Sequence, residues 1–103
     1  LESSCGLPTA VLAVNDFAAV GVTHVFRAKG IRIPQDISVV SFDNTFVAET
    51  CAPPLTSVGC DYRSFGELLI ETAVQAAHGQ KTPGTRQILP ALTVRESSGR
   101  VIR

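Results

Sequence analysis

The sequence has no methionine, no tryptophan and only one tyrosine, and it carries no net charge, since nine basic residues balance nine acidic ones. Without an excess of lysine and arginine, the stretch lacks the electrostatic footprint of a nucleic-acid binder. A neutral small molecule is an easier partner than a polyanion. No apolar run reaches the length of a membrane span, and the first residues show no basic, then apolar, then small-residue signal pattern. The missing initiator methionine predicts that the chain is a piece of something longer. The three cysteines, Cys5, Cys51 and Cys60, are odd in number and show no C-x-x-C or metal-ligand spacing. They predict free thiols in a reducing compartment, with a Cys51–Cys60 bridge as the alternative; no metal and no cofactor is expected. G-x-S-x-G, P-loop and G-x-G-x-x-G patterns are all absent, and no cysteine or serine has an identifiable histidine partner. These gaps predict a protein that is not an enzyme. A glycosidase-like pairing of Asp16 and Asp43 as acid and base is the one catalytic alternative.

What is present is a chain of 103 residues, enough for one small domain. Its 45% hydrophobic and 17% charged residues give a globular composition that leans apolar. Thr9 to Val14 is a short, nearly continuous apolar run, as expected for a strand buried on both faces. Asp16 predicts an N-cap and a helix from about Phe17 to Lys29. That helix is apolar nearly all round, which predicts a second buried face. Arg27 and Lys29 suit its negative end, and Gly30 suits the left-handed position beyond it. After a turn at "IRIPQD", Ile37 to Asp43 reads as a second apolar strand. Two strands and a helix in 35 residues fit one right-handed βαβ unit.

The segment "NTFVAETCAPPLT" reads as a long loop, because Pro53-Pro54 excludes helix and central strand there. "TSVGC" predicts a short third strand. A helix from about Tyr62 to Ala77, capped by Asp61 or Ser64, places Tyr62, Phe65, Leu69, Ala73 and Ala76 on one face. A polar Gly/Pro loop and a last strand interrupted at Pro90 complete the pattern.

In a parallel α/β sheet, ligands bind outside the carboxyl ends of the strands. Asn15-Asp16 ends the first strand and Asp43-Asn44 ends the second. If the strands are neighbours, the four side chains share one edge, with hydrogen-bonding capacity suited to the hydroxyls of a sugar or nucleoside. Cys60 and Asp61 follow the third strand and could reach the same edge. The alternatives are helix capping for Asp16 and turn chemistry for Asn15 and Asp43. His24 reads as a core or interface histidine. His78, at a helix end, reads as a partner of the terminal carbonyls.

Four ordered segments, "PTAVLAVNDFAAVGV", "GIRIPQDISVVSFDN", "APPLTSVGCDYRSFGELLIE" and "LPALTVRESSG", together resemble the C-terminal part of LacI/GalR-type transcriptional regulators. The resemblance runs from about Leu7 to Gly99. It implies a parallel βαβ-based three-layer sandwich, part of a type I periplasmic-binding-protein-like fold, with about 7–60 in the C-terminal lobe and about 61–96 crossing back to the first lobe. By the same resemblance Asn15 and Asp43 contact a small-molecule effector, a sugar in chemical class. Cys60 stands where several family members carry a polar contact residue, often Gln, and Asn44 replaces a frequent second Asp. The family dimerises through this lobe, which implies an interface at Phe17, Val20, His24, Pro53 and Pro54. It also implies a cytoplasmic protein that meets operator DNA only through a helix-turn-helix domain absent from this chain. With much of the cleft missing, exposed apolar surface and self-association are expected. The related periplasmic sugar-binding proteins of transporters are the alternative.

Overall fold

A computed structural model describes Gly6 and residues 8–100. The elements follow as β1 (Ala10–Leu12), α1 (Asp16–Ala28), β2 (Ser38–Phe42), α2 (Phe46–Thr50), β3 (Thr56–Gly59), α3 (Tyr62–Ala77) and β4 (Ala91–Thr93). They form one sheet in the order β1-β2-β3-β4. β1 runs parallel to β2, with Leu12 opposite Val40, and β2 runs parallel to β3, with Phe42 opposite Val58. The βαβ unit is therefore present, with α1 packed against β2. The chain divides into two compact units: the first runs up to Gly59 and resumes at Leu92, and the second is Cys60–Ala91.

In the first unit α1 buries Asp16, Ala19, Thr23 and Phe26, a stripe at spacings of three and four residues that faces the sheet. The core adds Ala13, Ile37, Val39, Ala48 and Leu55. The second buried face expected of α1 is not buried in this unit: Phe17, Val20 and Val25 are exposed. β1 departs from expectation in the same way, with Leu12 65% and Val14 77% exposed. β1 stands at the end of the strand order, so only β2 pairs with it. An apolar hollow of about 490 Å3, lined by Val11, Ala18, Gly21, Val22, Val25 and Phe26, opens between β1 and α1.

α1 ends as the sequence predicts, with Arg27 in its last turn, Lys29 as C-cap and Gly30 left-handed at φ 72°. The "IRIPQD" turn closes on Asp36, which accepts from the Arg32 backbone N–H and from its Nε, each at 2.8 Å. The hydrogen bonds from Arg32 hold the Asp36 carboxyl down at about 2. Exposed as it is, the pair orders the turn more than it stabilises the fold. Arg32→Ala is expected to raise the Asp36 carboxyl toward, but not fully to, the usual aspartate range near 3.9, since the backbone N–H of residue 32 still donates to it, as a carboxyl 13C titration would read.

The long loop expected after β2 contains the five-residue helix α2, whose Ala48 packs into the core. In the second unit α3 has the expected bounds and Asp61 as its N-cap, accepting from the Arg63 N–H at 3.0 Å and the Ser64 hydroxyl at 2.6 Å. None of its residues is buried. His78 is its C-cap through the backbone N–H rather than the ring. Cys51 and Cys60 are free thiols, while Cys5 lies outside the described residues. Among the described residues no helix is long and apolar enough to cross a membrane, and no group of three or more His, Cys, Asp or Glu side chains is placed to hold a metal.

Candidate functional site

The pairing of β1 with β2 sets the candidate site. Asn15 lies three residues beyond Leu12 and Asp43 three beyond Val40, and Leu12 and Val40 are partners in the sheet. The two side chains named from the sequence therefore leave the carboxyl ends of neighbouring strands at one level, where open α/β sheets receive ligands.

Asn15 is the N-cap of α1. Its backbone is extended (φ −158°, ψ 175°) and its Oδ1 accepts the Ala18 N–H at 2.8 Å. This corrects the sequence reading, which gave the cap to Asp16. Adjacent Asn and Asp have the same capping chemistry, and tertiary partners decide between them. Asp16 is fully buried at the first position of α1. Its Oδ1 accepts the hydroxyls of Ser41 (2.6 Å) and Ser57 (2.8 Å), and its Oδ2 accepts the Thr45 N–H (2.7 Å) and hydroxyl (2.8 Å). Both oxygens are engaged within the protein, so Asp16 does not face a ligand either. Burial pushes its carboxyl up, but the bonds from Ser41, Thr45 and Ser57 together outweigh that and hold it below the ordinary value.

Those partners frame the turn that presents Asp43. Asp43 (φ 94°) and Asn44 (φ 50°) are consecutive left-handed residues, neither of them glycine. Each such residue costs roughly 1–3 kcal/mol unless its surroundings over-determine it. Here they do. The Asp43 N–H donates to the Val58 carbonyl at 2.8 Å and the Asn44 N–H to the Ser57 hydroxyl at 3.0 Å. The Asn44 side chain accepts from Arg95 Nη2 at 2.7 Å and donates to Thr93 Oγ1 at 3.2 Å. Gly59 completes the frame by lacking a side chain, because a Cβ there would sit 2.4 Å from the Asp43 carbonyl oxygen. The Asp43 side chain itself lies on the surface.

Cys60, the third contact named from the sequence, is half-buried and opens the second unit. Of the residues assigned to an interface, Phe17, Val20 and His24 are exposed on α1, while Pro53 and Pro54 are half-buried in the segment after α2. His24 is thus not a core residue. Val20 and His24 line a cavity of about 330 Å3 between α1 and α2, and Pro53 lines one of about 240 Å3 next to it. The Pro54 carbonyl accepts the Ser97 N–H at 2.9 Å. Residues the sequence reading passed over include Ser41, Ser57, Thr45, Thr93 and Arg95. Serines inside apolar strands were the visible signal for the first two.

A periplasmic binding protein-like domain matches residues 1–98. The transcriptional regulator DegA of Bacillus subtilis, an HTH-type protein, is 38% identical over 92 residues, which cover 88% of this chain and 27% of DegA. The solved complex of the transcriptional regulator CelR with cellobiose is 36% identical with a TM-score of 0.76, covering 87% of this chain and 28% of that one. A dimeric Lac repressor structure with an 11-residue C-terminal deletion gives a TM-score of 0.86 at 31% identity, covering 93% of this chain and 35% of that one. The chain spans about a quarter to a third of the length of these proteins, which are two transcriptional regulators and a repressor. By match, sequence and fold, it belongs to the periplasmic binding protein-like domain family as found in LacI-type transcriptional regulators.

Proposed function

We propose that the chain is the effector-binding and dimerising portion of a cytoplasmic transcriptional regulator, and that Asn15 and Asp43 contact a small-molecule effector of the sugar or nucleoside class. One observation carries this reading: a surface aspartate is held on a strained turn at the carboxyl end of β2, level with Asn15 at the end of β1. Carboxylate and amide suit vicinal hydroxyls, one accepting and the other both donating and accepting. The CelR structure, a cellobiose complex, supports the sugar class. The exposed apolar residues of α1 and the dimeric Lac repressor structure support a homodimer. Operator DNA would be met through a helix-turn-helix domain outside this chain, as the name of DegA suggests. Ligand acts by binding one arrangement of the full protein better than another, and the chain itself performs no catalysis.

The test is Asp43→Ala in the full-length gene product, titrated calorimetrically with cellobiose, lactose, glucose and adenosine. Loss of a charged hydrogen-bond partner is expected to weaken binding about ten- to a hundredfold, with the circular dichroism spectrum unchanged. Unchanged affinity in the variant, or no binding of any of the four by wild type, overturns the reading.

A further inference from the structure

Asp43 acts in that reading only while its turn stays left-handed, and the Asn44 side chain of that turn is held from a distant part of the chain, at Arg95 and Thr93. We propose that Arg95 is a positioning residue for the effector contact: through Asn44 it holds the Asp43–Asn44 turn in its left-handed form and so aims Asp43. The inference rests on the proposed role of Asp43.

Arg95 is built to hold something. Its side chain is 15% exposed. Its backbone is fixed first, since the Arg95 N–H donates to Thr56 Oγ1 at 2.9 Å and its carbonyl accepts the same hydroxyl at 3.2 Å. From that anchor the guanidinium forks. Nη1 donates to the Leu55 carbonyl at 2.7 Å and Nη2 to Asn44 Oδ1 at 2.7 Å, with the Glu49 carboxylate 3.6 Å away. The fork thus ties the entry of β3 to the side chain of the second left-handed residue. A planar guanidinium spans two acceptors in a fixed geometry that an ammonium does not reproduce, and its charge strengthens both bonds. Thr93 takes the Asn44 amide from the other side, so Asn44 is gripped at its oxygen and its nitrogen.

Asp16 plays a different part. Its partners are the Thr45 backbone and the Ser41, Thr45 and Ser57 hydroxyls, so it fixes the frame around the turn. Arg95 and Thr93 alone reach the Asn44 side chain among the described residues' hydrogen bonds. Asn44 tolerates its positive φ better than most side chains do, and glycine there would need no help.

The experiment measures amide hydrogen exchange by NMR and cellobiose binding by calorimetry in the full-length gene product, for wild type, Arg95→Gln, Arg95→Lys, Arg95→Gln with Asn44→Gly, and Asp43→Ala. Arg95→Gln and Arg95→Lys are each expected to speed exchange of the Asn44 and Thr45 amides about tenfold or more, leaving the α1 amides Ala19 to Phe26 unchanged. Cellobiose affinity is expected to fall about tenfold with them. Adding Asn44→Gly is expected to restore affinity to within about threefold of wild type, since glycine adopts the turn without the guanidinium. Exchange at Asn44 and Thr45 that stays at the wild-type rate overturns the inference, whether or not cellobiose binds. So does acceleration spread evenly over α1 and the sheet, or binding that Asn44→Gly fails to rescue. If Asp43→Ala alone leaves binding intact, the proposed function fails, and the exchange data still decide whether Arg95 holds the turn.

Discussion

Asp16→Ala is expected to destabilise the protein by about 3–5 kcal/mol, the range for removing one partner from a buried charged network. The deletion strips four donors at once: the hydroxyls of Ser41, Ser57 and Thr45 and the Thr45 N–H. Ser41 and Ser57 are fully buried, so water does not replace the carboxylate for them. The cost falls on a small core, because the seven buried apolar residues among those described, three of them alanine, leave little other stabilisation to absorb it. A urea midpoint of the variant against wild type measures the effect, and a shift under about 1 kcal/mol would mean that the serines find other partners. The network also sets a pH dependence. Its folded carboxyl lies below the ordinary value, so its stabilising contribution is complete above the unfolded aspartate value near 3.9 and is lost as pH falls through the folded value. Asp16→Asn should flatten that part of the acid limb, which a denaturation series from pH 5 downward would display.

Gly59→Val should cost about 1–3 kcal/mol and abolish the shape of the Asp43 turn. A Cβ at position 59 would meet the Asp43 carbonyl oxygen at 2.4 Å, its carbon at 2.7 Å and Asn44 Cβ at 2.5 Å. Two of these are backbone atoms, which cannot swing aside as a long side chain does. Either β3 or the turn must move, and moving the turn breaks the Asn44 bonds to Ser57 and Arg95. Gly66→Ala is the matched control: it lies within α3 and its Cβ would meet nothing within 4 Å. Replacing a mid-helix glycine should stabilise by about 0.4–1 kcal/mol. Thermal midpoints of the two variants should move in opposite directions, and a Gly59→Val protein as stable as wild type would contradict the close packing.

The βαβ unit was legible because its signals are local: an apolar run, a polar pair, a helix of small apolar residues, a glycine stop and a second apolar run within 35 residues. Placing Asn15 and Asp43 at one sheet edge followed from parallel pairing, which sets neighbouring strand ends level. The cap assignment failed because Asn15 and Asp16 offer the same acceptor one residue apart, and the deciding partners, Ser41 and Ser57, lie 25 and 41 residues away. α2 was missed because five residues show no helical period, and the Pro53-Pro54 signal dominated the window. Arg95 left no trace in any local pattern, since its partner Asn44 is 51 residues distant. The buried faces foreseen for β1 and α1 came from reading apolarity as burial, yet Leu12, Val14 and Phe17 lie at the surface of their unit.

Gly59 is the last residue before Cys60–Ala91 and Thr93 is the second after it, and both abut Asn44. The chain therefore leaves and re-enters the first unit at one place. In polymer terms the 32 intervening residues form a closed loop whose ends are already together. The entropy of closing such a loop grows only logarithmically with its length, by about 0.6 kcal/mol for each doubling. The first unit is accordingly almost indifferent to how long that excursion is. Residues can be added to or removed from its interior at little thermodynamic cost to the Asp16 network, provided the two ends still meet at Asn44.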